Sequence, residues 1–145
     1  MIEGVILTPL KIIPGDSGDV LHAIKKIESS FHGFGEAYFS TIKKGAIKAW
    51  KRHHKMTLNL VVPSGKIKFV LYDDRMDSLT CNEFFEITLS RENYQRLTVP
   101  PMIWMGFKGL DDGLNMLLNI ANIPHNPQES DRLDIINNNI NYKWD

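Results

Sequence analysis

The chain has one cysteine, Cys81. It can neither close an internal disulfide nor build a thiolate metal cluster. A dominant charge is also lacking: 17 Lys and Arg offset 17 Asp and Glu, for a formal net charge of zero. A nucleic-acid binder held by phosphate contacts needs a basic excess or a clustered basic face. A polybasic membrane anchor has the same need. No apolar run approaches the ~20 residues of a membrane helix. The opening stretch MIEGVILTPLKII carries Glu3 and no basic segment before its apolar residues, so it does not read as a signal peptide. The expectation is a reduced, soluble, cytoplasmic protein of one domain, 1–145, long enough to bury its own core.

Helical signal is scarce as well. DVLHAIKKIES (19–29) places Val20, Leu21, Ile24 and Ile27 at helical spacing, but reads equally as a strand followed by a loop. SRENYQRL (90–97) reads as one capped helical turn or as an irregular approach to Pro100-Pro101. What the chain has instead is short apolar runs broken by turn residues. GAIKAWK (45–51), LNLVV (58–62), KIKFVLY (66–72), FFEITL (84–89) and LNMLLNI (114–120) are of strand length, separated by Pro63-Ser64-Gly65, Asp73-Asp74 and Asp111-Asp112-Gly113. Such spacing predicts an all-β sandwich or barrel. The stretch Gly4–Ile13 reads as a further, exposed strand. The Asn-rich end DRLDIINNNINYKWD is a poor helix; its Ile136, Ile140, Tyr142 and Trp144 predict a tail that packs, with a partner subunit as one possible surface.

One constellation is more specific. Gly45 is followed after five residues by Lys51, then by His53, Leu58 and Gly65. This frame resembles the first motif of cupin barrels, Gly-x5-His-x-His-x3–4-Glu-x6-Gly. VPPMIWMGF (99–107) resembles the second motif, with Met102 at its glycine and Met105 at its histidine. The resemblance implies a double-stranded β-helix (jelly roll) with few short helices. It also puts Lys51, His53, Leu58 and Met105 where cupins hold a metal. A protonated lysine has no lone pair and leucine has no donor, so a barrel without metal is expected.

Among cupins the chain resembles the nucleotide-sugar epimerases of the dTDP-4-dehydrorhamnose 3,5-epimerase type. GEAYFSTIKKGAIKAWKRH (35–53), SGKIKFVLYDDRMDSLT (64–80), RLTVPPMIWMGF (96–107) and LLNIANIPHNPQESDR (117–132) carry the likeness. That family removes a proton beside a sugar ketone and returns one to the opposite face, which needs a base, an acid across the ring and a donor over the enolate oxygen. It uses a histidine in an Arg-Gly-x-His strand and a later tyrosine. Here Lys48 and Lys51 stand at the arginine and histidine, and His125-Asn126-Pro127 is the nearest match to the tyrosine segment. Strand alternation groups Ile47, Ala49, Lys51 and His53 on one face. Lys51 is then a base tuned down by burial, or a cation on the ketone oxygen while His53 or His54 moves the proton.

The expected catalytic residues are Lys51, His53 and His125. Glu36, Tyr38, Lys48, Asn59, Arg75 and Trp104 are expected to bind substrate. Each has a simpler role open to it: core packing for Trp104 and Tyr38, an ion pair for Arg75, a structural turn for His125. Asn59 and Asn119 both sit inside apolar strands and each faces either solvent or a polar cavity. His22 and His32 fall in loop-like context without an expected role. The expected function is an epimerase acting on a nucleotide-linked 4-keto sugar in polysaccharide or glycoconjugate synthesis, with no cofactor, as a homodimer. A sugar-binding cupin without catalysis and a keto-sugar isomerase are the alternatives.

Overall fold

The computed structural model describes residues 1–145. Twelve strands make it up: β1 (Ile6–Pro9), β2 (Ile12–Ile13), β3 (Val20–Leu21), β4 (Glu36–Ile42), β5 (Ile47–His53), β6 (Leu58–Ser64), β7 (Ile67–Tyr72), β8 (Phe84–Leu89), β9 (Gln95–Val99), β10 (Trp104–Gly109), β11 (Asn115–Ala121) and β12 (Ser130–Arg132). The only helical element is a 3-10 turn at Pro127–Glu129. No helix is long and apolar enough to cross a membrane.

Two five-stranded antiparallel sheets, ordered β1-β9-β6-β11-β4 and β12-β5-β10-β7-β8, carry the jelly roll; β2 and β3 form a small separate hairpin. Gly45 and Gly65 sit at the turns before β5 and after β6 with φ of +77° and +78°. Side chains rarely adopt that conformation, which glycine reaches freely. The motif spacing is therefore the length of two consecutive strands between two such turns, β5 in one sheet and β6 in the other.

Residues paired across antiparallel strands share a face, so the register reads as rows. In the first sheet Leu7, Leu97, Leu60, Asn119 and Tyr38 form one row. In the second, Phe85, Leu71, Met105, Lys51 and Arg132 form another. Each row is apolar at one end and polar at the other. The apolar ends meet in the main core, where Leu60, Phe69, Leu71 and Leu97 are fully buried. The polar ends lie where β4 faces β12 and β5, and there the two sheets leave a hollow.

The structure decides three readings that the sequence left open. Residues 19–29 form no helix: after β3 they run as turns, tied down by Arg96. The guanidinium of Arg96 is fully buried and donates to Ala23 O, Glu28 Oε2 (2.6 Å), Ser30 Oγ and Asn59 Oδ1. A buried cation needs such partners, and the loop supplies them. Within 90–97 a turn leads directly into β9. The C-terminal tail packs on its own chain. Ile140 is buried with Trp50, Val70 and Trp104 on the outside of the second sheet, and Tyr142 (edge-on) and Trp144 (tilted) pack on Trp50 at 6.1 and 5.5 Å between ring centroids.

Candidate active site

The hollow is a cavity of about 530 Å³, within the range of small-molecule sites. Its floor is apolar, with Leu58, Leu60, Met105, Phe107 and Leu117. Its polar groups come from β5 (Lys48, Lys51, His53), β4 (Tyr38, Ser40), β11 (Asn119) and the tail (Arg132, Asp134).

The route by which β5 presents its side chains differs from simple alternation. Met105 pairs with Lys51 but Phe107 pairs with Lys48, so β5 carries one extra residue, a bulge. The bulge turns Lys48 to the same side as Lys51. It also moves Ile47 opposite the outward Lys108, and packs Ala49 with the outer aromatic cluster. Of the four residues expected on one face, Ala49, Lys51 and His53 line the cavity, and Lys48 joins them; Ile47 does not.

His53 is the most constrained polar group. Its Nδ1 donates to Glu129 Oε2 at 3.0 Å, and the Glu129 side chain is 7% exposed. Glu129 Oε1 accepts from Lys55 N (3.0 Å) and Met56 N (2.8 Å). Burial pushes the Glu129 carboxyl up, but hydrogen bonds from Lys55, His53 and Met56 outweigh it and hold the group below its ordinary value. Burial lowers the His53 pKa from 6.5, with the pull of Glu129 only partly offsetting it. At neutral pH the pair is thus carboxylate and neutral imidazole. Nδ1 carries the proton and Nε2 keeps a free lone pair, the orientation a general base requires.

Lys51 stands next to His53 and is paired across β5–β12 with Arg132. Burial lowers its pKa, and Arg132 lowers it further against the opposing pull of Glu129 and Glu36. Tyr38 stands on the facing wall, where its hydroxyl oxygen accepts from Asn119 Nδ2 at 2.9 Å. Burial raises its pKa from 10.0.

The remaining expected residues sit elsewhere. Glu36 shares an inner row with Leu58 and Ala121 and acts on Lys51 through its charge, but does not line the cavity. Asn59 faces outward beneath the 22–30 loop, where Arg96 and Thr98 donate to it and it donates to Ser30 O. Its amide is consumed by the fold, which corrects its assignment to substrate. Arg75 is likewise corrected: it chelates Asp73 at 2.8 and 3.0 Å and donates to Glu3 O, ordering the 73–80 turn. Trp104 lies on the outer face, donating to Asp74 Oδ2 with the Arg52 guanidinium 4.5 Å from its ring. His125 is exposed in the turn before Glu129 and does not line the cavity; Asn126 caps that turn by accepting from Gln128 N. The segment matters through Glu129, not through His125. His54 is exposed and contacts Asp131 at 2.9 Å.

Lys51, His53, Leu58 and Met105 do converge on the cavity as the cupin frame implies. Their donors, one imidazole and one thioether, do not fit a divalent cation, since such a site takes three or four lone-pair ligands. Residues missed from sequence are Glu129, Asn119, Arg132 and Asp134. Only Asn119, a polar amide within an apolar strand, carried a local signal.

The profile of a family described as dTDP-4-dehydrorhamnose 3,5-epimerase matches residues 2–145. The crystal structure of a dTDP sugar isomerase from Desulfovibrio desulfuricans G20 is 40% identical and superposes with a TM-score of 0.95 over 99% of this chain and 92% of that one. A probable low-salt glycan biosynthesis epimerase, Agl13, from Haloferax volcanii is 34% identical over 84 residues, 57% of this chain; the match spans about half, 54%, of that protein's length. The spore coat polysaccharide biosynthesis protein SpsL of Bacillus subtilis is 27% identical over 146 residues, 99% of this chain and 97% of that protein.

Proposed function

The chain belongs to the dTDP-4-dehydrorhamnose 3,5-epimerase family, and on that premise we propose that it epimerises a nucleotide-linked 4-keto sugar for polysaccharide or glycoconjugate synthesis. The observation that carries this reading is the buried His53–Glu129 pair beside Lys51 on one wall of the cavity. His53 Nε2 takes the proton from the carbon next to the ketone, as that C–H pair moves into the carbonyl. The Glu129 carboxylate stabilises the imidazolium that forms. Lys51, as an ammonium, donates to the enolate oxygen where negative charge develops. The ketone itself acidifies the C–H, so these residues need no further group for the step. Lys48 and Arg132, also lining the cavity, suit the diphosphate of the nucleotide.

A second reading makes Lys51 the base. Its lowered pKa favours that role, because a lysine brought toward neutrality abstracts protons efficiently. In either case the proton leaves toward the β5 wall.

The reading carries the cytoplasm as place of work and a homodimer as assembly. The unpaired β4 edge, with Phe39 63% exposed, supports the second copy.

The test is solvent exchange. The protein is incubated with dTDP- and UDP-4-keto-6-deoxyhexoses in deuterated water, and label at C3 and C5 is read by NMR. Deuterium at either carbon with inverted configuration is expected. Binding without exchange would instead make this a sugar-binding cupin, and migration of the carbonyl a ketoisomerase.

A further inference from the structure

Inversion needs a proton donor on the wall opposite the base. Resting on the epimerase reading above, we propose that Tyr38, positioned by Asn119, is the acid that protonates the second face of the sugar carbon.

Four observations converge. Tyr38 and Asn119 are direct cross-strand partners on the inner face of the first sheet, whereas Lys51 and His53 lie on the second sheet across the same cavity. A ring held between the sheets has one group on each side. Asn119 Nδ2 donates to the Tyr38 oxygen at 2.9 Å, so the phenolic hydrogen is left free to point at substrate, and the same donor stabilises the phenolate after transfer. Asn119 is 5% exposed, and its Oδ1 is buried without a hydrogen-bond partner. Such an acceptor in a cavity wall is costly unless something donates to it, and a sugar hydroxyl does so at the edge of a ring that Tyr38 also touches. The chain's other tyrosines are committed elsewhere: Tyr72 OH donates to Asn82, Tyr94 OH to His22 O and Tyr142 OH to Glu86.

The step balances. Once the base has taken the C–H proton, the enolate collapses to the ketone as its carbon takes the Tyr38 proton on the opposite side. A C–H bond forms, the phenol becomes phenolate, and solvent returns a proton to Tyr38 and accepts one from the base. Burial keeps the phenol protonated at neutral pH, as an acid must be before it acts.

The substitution Tyr38→Phe removes one oxygen from a residue 42% exposed on an edge strand. Exchange and inversion are followed together in deuterated water with dTDP-4-keto-6-deoxyglucose. The wild type is expected to exchange and invert. Tyr38→Phe is expected to keep exchange within about tenfold while inversion falls by about 10²-fold or more, the usual contribution of a general acid. Asn119→Ala, which removes the donor to the phenolate, is expected to move the alkaline limb of inversion to higher pH. Inversion by Tyr38→Phe within about threefold of wild type would overturn the assignment and leave the epimerase reading standing. Equal loss of exchange and inversion would also overturn it, assigning Tyr38 to the first proton transfer. Absence of exchange in the wild type would remove the epimerase reading itself.

Discussion

Glu129→Gln separates catalysis from stability at a single atom. Glu129 Oε1 accepts from two backbone N–H groups, those of Lys55 and Met56. A glutamine at 129 keeps both only if its carbonyl oxygen stays there. The amide NH2 then faces His53 Nδ1, where Oε2 now sits at 3.0 Å. Two donors cannot face each other, so His53 must accept at Nδ1 and carry its proton on Nε2. The imidazole is then in the wrong tautomer for proton abstraction. Loss of a general base costs about 10²–10⁴-fold in rate. Stability falls only by the loss of one charge-assisted hydrogen bond, about 1.5–3 kcal/mol, partly recovered by the new N–H···Nδ1 bond. Glu129→Ala strands both backbone N–H groups, at about 1–3 kcal/mol each. The assay pairs deuterium exchange at the sugar carbon with thermal unfolding of both variants. Glu129→Gln should lose at least about 10²-fold in exchange with a smaller drop in melting temperature than Glu129→Ala. Exchange within about threefold of wild type would refute the orienting role of Glu129 and the assignment of the base to His53.

Two further outcomes follow from the same geometry. With His53 as base, exchange should rise with pH along a limb whose midpoint lies below 6.5, because the folded pKa is lowered; Lys51→Met should reduce the plateau by about 10²-fold and move that limb to higher pH, because the Lys51 charge is one of the groups that lower His53. A limb instead on the alkaline side, abolished by Lys51→Met, would make Lys51 the base. Arg96→Met should destabilise the fold by about 3 kcal/mol in denaturant titration, since it leaves Glu28, Ser30 and the Ala23 carbonyl without their guanidinium donor; a cost under about 1 kcal/mol would refute the claim that Arg96 anchors the 22–30 loop.

The strands at 58–62, 66–72 and 84–89 were legible because their apolar runs and turn residues are local signals with period two. Lys51 and His53 were legible because two glycine turns frame the consecutive strands β5 and β6 and so fix their spacing, whatever the rest of the chain does. Glu129 was not: 76 residues separate it from His53, and only the pairing of β12 with β5 brings the turn before it alongside. Asn59 and Asn119 read alike in sequence. The register sends one outward to Arg96 and the other inward to Tyr38.

By itself, then, the chain's local pattern settled that it is all-β and which side chains of one strand stand two apart. Only the tertiary structure decided which of them share a wall, through the bulge in β5, the cross-strand register and the packing of one sheet on the other. Period two names two faces but not which is inside, and a hydrogen-bond partner from a distant strand leaves no mark on the residues it will meet.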